Sequence, residues 1–154
     1  MSECKVISNS RFNEVGLVIF KFDPTFGPLV LVNHSFLDDE RISMLAIKGI
    51  STLMAGIKYG VVNTRRFRGI FQISDNVFAY CFDILLLDDE EDKENPIPAI
   101  FFVVFSSSIM PLIASNLLVI EEHLSTKTSN VYLSSQITPE FGFNVLSSLK
   151  NSLV

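Results

Sequence analysis

Cysteine is nearly missing from this chain: Cys4 and Cys81 are the only two among its 154 residues. Two residues so far apart support neither a disulfide framework nor a metal cluster, and they read as reduced thiols in a cytosolic protein. Histidine is equally scarce, with only His34 and His123. The second follows Glu121 and Glu122, but three consecutive helical residues point in different directions and do not converge on one ion. Positive charge is also in deficit, 12 Lys and Arg against 17 Asp and Glu, for a net charge of −5. Such a balance argues against nucleic acid, whose phosphates select basic faces. No Gly-x-Ser-x-Gly elbow accompanies the many serines, so nucleophilic catalysis has no support. In Gly56-Ile57-Lys58-Tyr59-Gly60 glycine and lysine stand out of the order that a phosphate loop needs, and the stretch reads as a helix end. The acidic run Asp88–Glu94 lacks the alternating ligands and central glycine of a calcium loop and reads as a solvated excursion between strands. The expectation is therefore no catalytic residue, no cofactor and no metal.

Long hydrophobic runs are absent too. The longest apolar stretch, Ile97–Phe105, contains Pro98 and is about half the length that a membrane span requires. Met1-Ser2-Glu3-Cys4-Lys5 lacks the basic and apolar regions of a signal peptide. The sequence thus reads as a soluble cytoplasmic chain without direct membrane insertion, peripheral to membranes only through partners.

What the chain has in abundance is apolar residues, 48% of the total, with Phe alone contributing 14. The length suits one domain with a real core, and the surplus suggests that some apolar side chains face a partner. No repeat or linker divides the chain, so residues 1–14 read as a polar arm and residues 15–154 as one domain. Val15–Phe22 reads as the first strand, and its run Val15–Phe20 is apolar at successive positions, the mark of a central strand covered on both faces, with Lys21 and Asp23 at its exit. Asp23-Pro24-Thr25-Phe26-Gly27 turns the chain, since proline fixes φ and glycine permits a left-handed residue. Pro28–Val32 returns antiparallel, with Pro28 suited to an edge because it cannot donate to a ladder.

A long helix is expected from Asp38-Asp39-Glu40, carboxylates matched to the positive end of the dipole, to about Lys58. Ile42, Leu45, Ala46, Gly49, Ile50, Leu53 and Ile57 form the stripe that should lie on a sheet. A second apolar set, Met44, Ile47, Met54 and Ala55, lies outside it, so the helix is apolar over more of its circumference than one sheet can cover. Arg65–Ile73 alternates, with Phe67, Gly69, Phe71 and Ile73 inward and Arg66, Arg68, Ile70 and Gln72 outward, as in an outer strand. Asp75-Asn76 turns into a fourth strand, Val77–Leu87, and Pro98–Phe105 is a fifth, again central. Ser106-Ser107-Ser108 caps a helix over about Ile109–Leu124. Val131-Tyr132-Leu133 reads as a packed loop, and Thr138-Pro139-Glu140 opens the last helix.

The order that results is ββαβββαα. The fold class is α+β, a five-stranded antiparallel sheet with one helix on one face and two C-terminal helices on the other. Together with the hairpin Phe22-Asp23-Pro24-Thr25-Phe26-Gly27-Pro28, this order resembles the longin fold over about residues 15–154. It is similar to longin-like chains of trafficking complexes and to archaeal relatives. The resemblance implies a non-catalytic, dimerising scaffold that binds or regulates a small GTPase in a membrane-trafficking-like complex. Its partner in the dimer would be a second copy or another longin or roadblock protein. Longin domains commonly pair through the second strand and first helix, which implies an interface of Leu29, Val30, Leu31, Val32 and Asn33 with Met44, Ile47, Lys48, Ser51, Met54 and Ala55. A roadblock- or profilin-like adaptor and a small-molecule sensor on a PAS-like sheet are the alternatives. A roadblock domain needs a strong leading helix that residues 1–14 do not suggest, and the sensor needs a cavity where Phe71, Phe78, Phe101, Phe102 and Phe105 promise a filled core.

Overall fold

The first strand, β1 (Val15–Asp23), separates two hydrophobic cores. Leu17 and Ile19 join one with Phe82, Phe101 and Val103, while Val18 and Phe20 join another with Leu45, Phe102 and Val104. Successive strand side chains point to opposite faces, so the two cores lie on opposite sides of one sheet. A computed structural model describes residues 14–23, 25–56, 68–87 and 96–153. Its sheet has five antiparallel strands in the order β2-β1-β5-β4-β3. These are β2 (Gly27–His34), β3 (Arg68–Ser74), β4 (Val77–Leu86) and β5 (Ile97–Ser106) beside β1, and four α-helices among the described residues complete an α+β fold. β1, apolar from Val15 to Phe20, and β5, apolar from Ile97 to Phe105, are paired on both sides. The proline-led β2 and the arginine-bearing β3 are the two edges.

Asp23 closes the β1–β2 turn. Its Oδ1 accepts from the backbone N–H groups of Thr25 at 2.8 Å and Phe26 at 3.0 Å, and Gly27 follows at φ 76°, a conformation open to glycine without steric cost. These two donors, Phe26 foremost, hold the Asp23 carboxyl below the usual aspartate range. A pKa depressed on folding means a contribution to stability that is complete above the unfolded-state pKa and lost as pH falls through the folded one. In an NMR titration the Asp23 carboxyl should have its midpoint below that of an ordinary aspartate, with the amide signals of Thr25 and Phe26 shifting in step. A midpoint at or above the ordinary value would show that the turn is open in solution.

Helix α1 (Asp39–Gly56) is capped by Asp38, whose Oδ1 accepts from Arg41 N at 2.9 Å, satisfying one of the orphan donors of the first turn. Leu45 and Ala46 enter the core with Val18 and Phe102, and Ile42 packs against it. Met44 packs there as well, a correction to its expected outward position. Ile70, also expected outward, packs against the core that contains Phe101.

The helix expected over Ile109–Leu124 is two: α2 (Met110–Ser115) and α3 (Leu117–Thr128). Asn116 separates them. Its Nδ2 donates to the Leu112 carbonyl at 2.8 Å, the kind of side-chain competition for backbone acceptors that makes Asn a poor helix interior. In α4 (Pro139–Ser152) the Thr138 side chain caps Phe141 N at 3.1 Å, and Val145, Leu146 and Leu149 are buried. Val131 is buried in the loop before it, and Leu87 N donates to the Tyr132 carbonyl at 2.6 Å, tying that loop to the end of β4. The expectations for the arm at residues 1–13, for Ile57–Phe67 and for the acidic run Asp88–Asn95 lie outside the described residues.

Candidate protein-interaction surface

The residues expected to face a partner come from β2 and α1, and the structure divides them. As an edge strand, β2 has one ladder with β1 and a second side on which no strand lies among those described. Its register against β1 slips once: Ile19 meets Val32 and Phe20 meets Val30, which leaves Leu31 as the extra residue of a β-bulge. Leu31 and Val32 both pack with the core on the Phe101 face. Val32 is only 2% exposed, so it can offer a partner its backbone and not its side chain. Leu29 and Val30 are exposed at 38% and 47%. They belong to opposite faces, because Leu29 pairs with Lys21 and Val30 with Phe20. Asn33 is exposed, and its Oδ1 accepts from Ser35 Oγ at 2.6 Å.

Among the described side chains of α1, Ile47 is the large apolar residue left outward, 64% exposed and opposite the side that buries Leu45 and Ala46. Ser51 lies one turn further, exposed, with its hydroxyl donating to the Ile47 carbonyl at 3.0 Å. Lys48 points elsewhere. Its ammonium donates to the Gln72 carbonyl and, at 3.4 Å, to the Ile73 carbonyl, both on β3, the strand that α1 approaches most closely. Met54 and Ala55 fall in the last turn of the α1 backbone.

Two further aromatics extend the exposed apolar area beyond the sequence expectation. Phe36, in the crossover from β2 to α1, is exposed, as is Phe143 on α4. Neither stood out in the sequence, because one lies in a short connection and the other alternates with buried positions in a helix. Phe143 meets the His34 ring edge-on at 6.3 Å. His34 donates from Nε2 to the Pro139 carbonyl at 2.8 Å and so ties the end of β2 to the start of α4. His123 likewise bridges helices through Nδ1, 3.1 Å from Ser148 Oγ.

Among the described residues, no three His, Cys, Asp or Glu side chains gather in a group able to hold a metal ion. Likewise, no described helix is long and apolar enough to cross a membrane. What the arrangement offers chemically is a strand edge unpaired by any other strand among the described residues, with apolar side chains on either face, beside a helix that presents an isoleucine between two small hydroxyl residues, Ser43 and Ser51. Strand addition at such an edge draws on backbone hydrogen bonds for affinity and on flanking side chains for specificity. The chain matches no sequence profile of a known family and no curated protein.

Proposed function

We propose that the chain is a non-catalytic interaction scaffold of longin type that dimerises through β2 and the outward side of α1 and binds a small GTPase. The observation that carries this reading is the β2 edge, beside which no further strand lies among the described residues, with Leu29 and Val30 exposed on it and Ile47 exposed on the helix that follows. The order of elements supports the longin comparison: a hairpin, one helix, three antiparallel strands, then helices to the end. Division of the buried residues between two cores, one with α1 and one with α2, α3 and α4, supports the same layout. The partner in the dimer is a second copy or a related longin or roadblock chain, and the setting is a membrane-trafficking-like complex in the cytoplasm. Leu29, Val30, Leu31 and Asn33 supply the strand side of the surface, and Ile47 and Ser51, with Met54 and Ala55, supply the helix side.

Light scattering behind size exclusion tests the first step. The wild type should run as a dimer at high concentration, and Ile47→Asp should weaken the dimer by about 2 kcal/mol or more, roughly thirtyfold, if Ile47 sits near the centre of the interface. Circular dichroism and thermal stability should stay near wild type, since Ile47 touches neither core. A wild-type monomer at every concentration would remove the self-pairing. Unfolding of Ile47→Asp would mean that the helix face is covered within the chain. Retention of a panel of GDP- and GTP-loaded small GTPases on immobilised protein tests the second step.

A further inference from the structure

The sheet has two edges, and their polar groups are used differently. At the β3 edge the Lys48 ammonium holds the carbonyls of Gln72 and Ile73, the Gln72 side-chain amide donates to the Ser74 carbonyl at 3.2 Å, and Arg41 Nε donates to Ser74 Oγ at 3.1 Å. Three successive residues of an edge strand thus have acceptors taken by the chain's own side chains, two of them cationic. Along β2, among the described residues, no side chain hydrogen-bonds to the backbone between Gly27 and Asn33.

An incoming strand pairs by donating its N–H groups to free edge carbonyls, and charged side chains on an edge oppose this because pairing would desolvate them. An ammonium already seated on a carbonyl does both things at once, filling the acceptor and placing a charge where a neighbouring backbone would lie. We propose that Lys48 closes the β3 edge against a second copy of this chain. The occupant excluded is another copy because identical edges are the pairing partners always present at the protein's own concentration. If both edges were open, each copy could pair on two sides, and association would run on without closing. This role goes beyond the dimer reading and stands without it, since β3 is the edge opposite the proposed dimer strand.

The test compares the full-length wild type with Lys48→Met and Lys48→Arg by light scattering over a wide concentration range, each also in a Val30→Lys background that places a charge on β2. Lys48→Met should form species larger than wild type that grow with concentration, with slowed amide exchange at Ile70–Ile73. Lys48→Arg, which keeps a cationic donor, should hold the wild-type mass. Lys48→Met should still associate in the Val30→Lys background. Unchanged mass for Lys48→Met overturns the proposal, and so does association that Val30→Lys abolishes, because it would then run through β2. Should Lys48→Met lose its folded circular dichroism spectrum, Lys48→Gln is scored by the same criteria. Failure of the dimer reading appears separately, as a wild-type monomer.

Discussion

Phe102→Ala is expected to destabilise the fold by about 3–5 kcal/mol, the range for removing a large buried aromatic. The ring is fully buried on β5. It meets Phe20 edge-on at 5.7 Å and Phe71 at 5.9 Å, geometries that add to the effect of area alone. It also lies under Gly49 of α1, where a Cβ would come within 2.7 Å of its Cζ. Glycine at that position lets the helix backbone rest almost directly on the ring. Truncation would therefore empty the space between sheet and helix, and Phe20, fixed on a strand paired on both sides, has little freedom to fill it. A loss of that size is a large fraction of the roughly 5–15 kcal/mol by which domains are stable. Chemical denaturation should show the midpoint falling with little change in slope. A loss below about 1 kcal/mol would mean that α1 is not seated on this ring. Because α1 carries Ile47, a folded but loosened variant should also weaken the proposed dimer.

Gly16→Ala should cost about 2–3 kcal/mol, at the upper end of what one added methyl does in a packed site. A Cβ on Gly16 would lie 2.6 Å from Ser35 Cα and 2.8 Å from the His34 carbonyl oxygen. These are backbone atoms, which cannot swing aside as the end of a side chain can. The strand cannot retreat either, since Gly16 is paired with Val104 of β5. The segment that must yield is the crossover beginning at Ser35, which joins β2 to α1. The same substitution thus tests whether the two halves of the proposed surface are held in register. Chemical-shift changes should concentrate at residues 34–38 and at Ile47, and dimer affinity should fall with stability. Wild-type stability would place the crossover elsewhere.

Much of the fold is legible in the residues because its strands differ in kind. The unbroken apolar runs of β1 and β5 declare strands covered on both faces, and Pro28 and the alternating arginines mark the edges. Asp38 and Thr138-Pro139 mark helix starts through local chemistry alone. The features that are not legible depend on a partner element. A helical wheel gives the angle of Met44 and Lys48 but not what lies beside the helix. It therefore could not tell that Met44 packs on the core or that Lys48 reaches β3. The bulge at Leu31 is a relation between two strands, invisible in either one. Asn116 is compatible with a continuous helix until its amide finds the Leu112 carbonyl. For the proposed surface, exposure at Leu29, Val30 and Ile47 follows from the edge position and the apolar excess, whereas Phe36 and Phe143 become notable only once the crossover and α4 are in place.

The position of β1 between β2 and β5 also bears on how the chain reaches its native state. One neighbour of β1 is only a hairpin away, but the other, where Val15 meets Phe105, lies beyond α1, β3 and β4 in sequence. Closing so long a loop sacrifices chain entropy before any of the burial it enables is gained. Topologies dominated by such distant pairings fold slowly. On the ribosome, the β1–β2 hairpin emerges with Leu17, Val18, Ile19 and Phe20 uncovered and must wait for β5. During that interval the nascent chain offers the kind of apolar strand that chaperones protect from aggregation.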